Sequence, residues 1–238
     1  MRALLTLLLL VSSAAAAVWF GVLPPGLIPP AWNPSAPLDV RSESGPLLGV
    51  KLHRLRGDPA LCRAALATAG LRASPVPDVP PRDGCGLSGA VRVAGGGVAL
   101  EPGPFLASCP LAVGWALFEA RVVQPAAERH FGRPVTGVSH LGSYACRDVR
   151  GGAGRSSHAT ADALDVSGFT LRGGRRVSLA AWAEPEEGTT TRAAPEAAFL
   201  REVRDGACRF FGAVLSPEYD RAHADHFHLQ ATGWGGCR

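Results

Sequence analysis

Three stretches of the chain repeat apolar residues at three- and four-residue steps. In ALCRAALATAG, Leu61, Ala65, Leu66 and Ala69 form one stripe. Asp58 stands before it as a cap, Pro59 suits a first helical turn and Gly70 ends it, so the pattern predicts a helix over 59–69. Ser108 is placed to cap a longer run through WALFEARVV, which Pro125 bends or ends before AAERHFG. Phe199, Leu200, Val203, Ala207, Phe210 and Val214 predict a third helix over 195–214. Shorter apolar runs read as strands at 90–93, 98–100, 135–141, 164–171, 176–181 and 226–230. The first two flank Gly95-Gly96-Gly97 and are expected to form a hairpin. Strands and helices do not alternate regularly, which places the chain in the α+β class and not among doubly wound sheets.

The most apolar stretch comes first. Met1 and Arg2 precede a leucine-rich run from Leu4 to Leu10 and small residues from Ser12 to Ala17, the layout of an export signal with cleavage near 15–17. Val18, Trp19, Phe20, Val22 and Leu23 extend the apolar stretch to about 20 residues, enough for a helix to span a bilayer. Residues 1–23 are therefore a signal peptide or an N-terminal membrane anchor, and both fates stay open. Either leaves Arg2 in the cytoplasm and the body outside, in the periplasm, soluble or tethered to the inner membrane through residues 3–23. Residues 24–37 hold Pro24, Pro25, Pro29, Pro30, Pro34 and Pro37 and read as an extended spacer, because each ring fixes φ and removes a donor. The folded domain is expected over 38–238.

Composition narrows the function. A 238-residue chain that is 47% hydrophobic can bury one sizeable core, which excludes a wholly disordered protein. The net charge of +4 is spread along the chain, which argues against a nucleic-acid platform. Lys51 is the only lysine. In a chain rich in Ala, Gly, Pro and Arg this matches the codon bias of a GC-rich genome, so no arginine is singled out by its type alone. Cys62, Cys85, Cys109, Cys146, Cys208 and Cys237 all lie beyond the spacer. An even number in an exported chain indicates a disulfide framework whose pairing stays open, and the lack of any CxxC spacing argues against a zinc-thiolate site.

The informative residue is histidine. His158 is followed by Asp165 in SSHATADALDVSGF, and His226 and His228 stand two apart in DHFHLQ. Two imidazoles and a carboxylate make a three-ligand set suited to catalytic zinc, with the fourth position left for water. Within a strand, His226 and His228 would share a face and Asp225 would turn away. His53, His130, His140 and His223 read as structural or exposed, although His223 shares a loop with Asp225.

The block Ser156-x-His158-x4-Ala163-x-Asp165, with Asp225-His226-Phe227-His228, resembles the LAS superfamily of zinc peptidases, which includes D-alanyl-D-alanine metallocarboxypeptidases and peptidoglycan endopeptidases. Together with SYACR at 143–147, FLREVRDGACRFFG at 199–212 and the terminal Cys237-Arg238, it is similar to the bacterial extensin-like C-terminal domain family over 45–238. Plant extensins are serine-polyproline glycoproteins, and no such repeat occurs here. The resemblance implies a small, mostly antiparallel sheet with flanking helices, a LAS-type core stabilised by disulfides. It implies zinc on His158, Asp165 and His228, with Asp225 as general base and His226 stabilising an oxyanion or moving a proton. Because a strand would turn Asp225 away from His226 and His228, Asp225 must then sit at the strand entry or His226 must serve as the base. Arg147 would hold a substrate carboxylate in its planar fork, and Ser156 would bind the same carboxylate or cap a turn. Many LAS enzymes carry glycine where this chain has Ala161.

The expected function is accordingly a zinc metallopeptidase of the cell envelope that hydrolyses a D-amino-acid-containing bond in peptidoglycan, with peptidoglycan peptides as partners. The alternative is a metal-containing module that binds or braces the wall without turnover. A third possibility is a disulfide-stapled domain in which the His and Asp blocks are core polar groups.

Overall fold

The structure, a computed structural model, describes residues 2–20, 22, 27–42, 45–150, 152, 154–182, 194–233 and 236–238. The leucine-rich N-terminal stretch forms helix α1 (Arg2–Trp19), whose leucines are exposed. Its 18 residues extend for about 27 Å at 1.5 Å each, and among the described residues no helix is long and apolar enough to cross a membrane. Within the proline-rich segment Pro30–Trp32 closes into a 3-10 turn instead of running extended. Two cations of helix α2 (Leu48–Leu55) hold that segment: Lys51 Nζ donates to the Pro30 carbonyl at 2.8 Å and Arg54 to that of Pro34. The first core residues after it are Leu38 and Val40.

Helix α3 (Pro59–Ala67) starts as expected, with the Asp58 carboxylate accepting from Leu61 N at 2.9 Å. Six short strands follow: β1 (Ala73–Pro75), β2 (Val79–Arg82), β3 (Cys85–Leu87), β4 (Val91–Val93), β5 (Ala99–Glu101) and β6 (Phe105–Ala107). The expected hairpin between 90–93 and 98–100 does not form. β4 pairs with β1 and β6 in a three-stranded sheet, while β5 joins a different sheet. The cause lies in residues 94 and 95, which extend the pairing of β4 toward Arg72: Ala94 N donates to Arg72 O and Arg72 N to Gly95 O, both at 2.8 Å. The glycines therefore carry the chain between sheets.

Helix α4 (Cys109–Phe118) begins at the predicted cap, with Ser108 Oγ accepting from Leu111 N, and buries nine of its ten residues. Proline at 125 has no N–H to offer the α ladder. A π-turn over Glu119–Val123 absorbs this, with Gln124 N–H reaching back to Glu119 O, and α5 (Gln124–Phe131) continues to Gly132 at φ +59°. The long helix is thus bent and kept, not ended.

The remaining strands are β7 (Val135–Gly142), β8 (Ala163–Leu171), β9 (Arg176–Ser178), β10 (Ala213–Leu215), β11 (Phe227–Gln230) and β12 (Gly236–Cys237), with α6 (Ala194–Ala207) between β9 and β10. In place of a small, mostly antiparallel sheet, the principal sheet has seven strands and is mixed, in the order β12-β10-β11-β8-β7-β5 with β9 also on β8. β5 runs parallel to β7 and β10 parallel to β12. A parallel pair needs a long crossover, and β6, α4 and α5 supply it between β5 and β7. The third predicted helix also overran. It stops at Ala207, and Val214 lies in β10, because Gly212 N pairs with Gln230 O at 2.8 Å and starts a strand beside β11. A Cβ at Gly212 would come within 2.6 Å of Gly233 O, so only glycine allows that approach.

α5 and α6 cover the sheet through Phe131, Phe199 and Phe169, with ring centroids 5.3 and 5.4 Å apart. Gly206 of α6 lies flush on Val122, where a Cβ would clash at 2.4 Å. The cysteines pair as Cys62–Cys109, Cys85–Cys146 and Cys208–Cys237, tying α3 to α4, β3 to the segment after β7, and α6 to β12.

Candidate metal centre

Register places two of the proposed ligands together. Asp165 is the third residue of β8 and stands directly opposite His228 of β11. Such cross-strand neighbours have Cβ atoms only about 5 Å apart. The third, His158, comes from a 3-10 turn, Ser157–Thr160, that leads into β8. Ser156 caps this turn, its Oγ accepting from His158 N at 3.3 Å. Ala161 leaves the turn in the left-handed region, at φ +54°. The spacing from His158 to Asp165 is therefore one tight turn plus the entry to a strand.

His158 Nε2 lies 3.1 Å from His228 Nδ1 and 3.3 Å from Asp165 Oδ2, and His228 Nδ1 lies 3.0 Å from Asp165 Oδ1. Tetrahedral zinc with bonds of 2.0–2.2 Å sets its ligands about 3.3–3.6 Å apart, so these three donors could hold such an ion with little movement. The outer nitrogens are also engaged. His158 Nδ1 donates to the Ser143 carbonyl at 2.5 Å, which leaves Nε2 as the lone-pair nitrogen facing the centre. His228 Nε2 faces Gln230 Oε1 at 3.3 Å and Ser157 Oγ at 3.4 Å. Burial opposes ionisation of Asp165, but when both rings carry the proton that faces the centre, the hydrogen bonds from His158 and His228 and their charge outweigh it and hold the carboxyl well below the usual range; an ion would take the place of those protons. The arrangement is a buried, convergent donor set.

Asp225 and His226 precede β11. Asp225 is mostly exposed, with 74% of its side chain open, and its Oδ1 accepts from His226 Nδ1 at 2.8 Å. His226 Nε2 in turn stands 3.7 Å from Asp165 Oδ1, with 12% of its side chain exposed. Of the two proposed proton-handling residues, His226 thus lies against the centre, and among the described residues Asp225 bonds only to its ring. His223 stacks near both His226 and His228, at 5.2 and 5.9 Å, and its Nδ1 is held by Asp220 at 2.7 Å. His130 bonds Glu202 and His140 bonds the Gly103 carbonyl, each at 2.8 Å. His53 is exposed on α2.

Arg147 is exposed on the segment after β7 and, among the described residues, its guanidinium reaches only the Asp148 carbonyl, at 3.4 Å. Its own carbonyl accepts from Ser156 N at 3.1 Å, and Ala145 N donates to His158 O at 3.0 Å. Residues 143–147 thus run along the His158 turn and brace it. The structure brings His158, Asp165, His228, His226 and Asp225 together and leaves the Arg147 guanidinium outside their hydrogen-bond network.

Three contributors escape the sequence pattern. A backbone acceptor such as Ser143 O carries no residue code. Asp162, 5% exposed, accepts from Ser108 Oγ at 2.7 Å and from Thr232 N at 3.0 Å, and so fastens the turn to α4 and to the end of β11. Gln230 stands two residues beyond His228, and strand alternation could have placed it on the ligand face. A cavity of about 470 Å³ shares Ser108, Thr160, Asp162 and Thr232 with this framework, but none of the three donors lines it.

Residues 60–238 match the family described as Extensin-like protein C-terminus, a span that holds every residue of this centre. No curated protein and no solved structure matches the chain.

Proposed function

The chain belongs to the extensin-like C-terminal family, and from that premise we propose that it is a zinc-dependent peptidase of the cell envelope acting on a D-amino-acid-containing bond of peptidoglycan. The observation that carries this reading is the convergence of His158 Nε2, Asp165 and His228 Nδ1 at 3.0–3.3 Å, all three largely buried. Two imidazoles and one carboxylate leave a tetrahedral ion one open position, the arrangement of catalytic rather than structural zinc. Zinc, when bound there, would supply Lewis acidity toward a substrate carbonyl and make water a stronger acid.

The chain's own residues do the rest. His226, with its Nδ1 proton committed to Asp225, presents Nε2 beside the centre, 3.7 Å from Asp165 Oδ1, and accepts the proton of the attacking water. Asp225 holds that ring in place, so the base role that the resemblance gives Asp225 falls to His226. Arg147, exposed and close in sequence to the brace, offers a carboxylate-binding fork to the substrate. Ser156 is used as the cap. Peptidoglycan as substrate and the periplasm as compartment rest on the LAS-like ligand blocks, the export-type leader and the three disulfides.

Digesting purified muropeptides tests the reading, with a chelator and Asp165→Ala as controls. Cleavage that needs zinc and Asp165 supports it, and the product separates carboxypeptidase from endopeptidase action. Stoichiometric zinc with wall retention and no product would instead favour a binding module. Less than about a tenth of an equivalent of zinc after loading would remove the metal site itself.

A further inference from the structure

A neutral imidazole has one protonated nitrogen and one lone pair, so a ligand histidine works only if something decides which is which. For His158 the Ser143 carbonyl decides. For His228 the neighbours of Nε2 are Gln230 Oε1 and the Ser157 hydroxyl. A hydroxyl can turn to donate or accept and so decides nothing.

The amide of Gln230 cannot turn. Its Nε2 donates to the Thr232 carbonyl at 2.9 Å. A carbonyl only accepts, so the NH2 group must face Thr232 and Oε1 is left for the ring. An oxygen at that place calls for a proton on His228 Nε2, which leaves Nδ1 as the lone-pair nitrogen. Nδ1 is the atom that meets Asp165 Oδ1 at 3.0 Å and His158 Nε2 at 3.1 Å. Thr232 is itself fixed, because its N and its hydroxyl both bond Asp162 Oδ2, while Asp162 Oδ1 takes the Ser108 hydroxyl.

We propose that Gln230 is a positioning residue that commits His228 to bind metal through Nδ1, with the Thr232 carbonyl, anchored on Asp162, fixing the amide. The inference rests on the metal-site reading above.

Zinc affinity is measured by competition with a chromophoric chelator for the wild type, Gln230→Leu and Gln230→Glu, with the metal-free melting temperature of each as a fold control. Gln230→Leu is expected to bind zinc about 10–100-fold more weakly. Gln230→Glu keeps an acceptor for Nε2–H and is expected to recover most of that loss, which a purely structural role would not do. In the cadmium-loaded wild type, coupling between the metal and ring nitrogen is expected on His228 Nδ1, a readout that needs no variant. Equal affinity of Gln230→Leu and wild type, or coupling to His228 Nε2, overturns the proposal and leaves the metal site standing. A wild type that binds neither ion overturns the metal reading beneath it.

Discussion

Ala161 occupies a backbone conformation that L residues avoid, at φ +54°, yet its methyl is fully buried against Leu87 and Ala90. The left-handed region costs an L residue about 1–2 kcal/mol, and burying one methyl returns about 0.8 kcal/mol. The two nearly cancel. Ala161→Gly should therefore move the melting temperature of the metal-free protein by no more than about 5 °C. Ala161→Val adds branching to the strained turn and bulk to a closed site, and should cost roughly 2–4 kcal/mol, a fall of at least about 5 °C by calorimetry. The same balance explains why alanine can stand at this left-handed position. At this scale the convergent donor set was legible because side-chain chemistry is written in the residue type: two imidazoles and a carboxylate stand in short blocks. Which of Asp225 and His226 lies against the donor set was not legible. It depends on exposure and on which atom of His226 is tied up, and neither is encoded in a residue name.

The π-turn between α4 and α5 carries a buried carboxyl. Glu119 is 7% exposed, and its Oε1 fills the space where a Cβ on Gly97 would stand, at 2.7 Å. Burial pushes its pKa up, and the hydrogen bond from Gln124 only partly opposes this. Since the folded pKa lies above the unfolded one, the folded state prefers the protonated form. Glu119 thus costs nothing below the unfolded pKa, and its cost grows as pH rises through the folded pKa. Glu119→Gln, which keeps the shape without the charge, should raise the melting temperature at pH 7 by an amount worth roughly 1 kcal/mol and change it little at pH 4. Thermal melts at the two pH values read this directly, and an equal effect at both would show that charge is not the cause. Among elements, α3 and α4 were legible because their starts are marked by Asp58 and Ser108, side chains that bond the first turn whatever surrounds them. The hairpin over 90–100 and the tail of the helix over 195–214 were misread because their outcome is decided by partners far along the chain. Arg72 captures residues 94 and 95, and Gln230 captures Gly212.

For the whole molecule, the cysteine count foretold an oxidised framework but not which bond guards the site. The Cys62–Cys109 and Cys85–Cys146 bonds span 47 and 61 residues. By loop entropy each is worth about 4 kcal/mol, so their removal should lower global stability almost equally. Their local settings differ. Cys146 lies inside the 143–147 segment that braces His158, where the Ser143 carbonyl fixes the ring, Ala145 N holds the His158 carbonyl and Arg147 O holds Ser156 N. Cys62 and Cys109 join α3 to α4 and touch none of these groups. Paired Cys85→Ser and Cys146→Ser substitutions should thus weaken zinc binding about tenfold beyond the effect of Cys62→Ser with Cys109→Ser. Zinc titration at a temperature where calorimetry shows both variants folded makes the comparison. If the two variants bind zinc alike, the 143–147 segment keeps its place without the disulfide, and the brace must come from its hydrogen bonds alone.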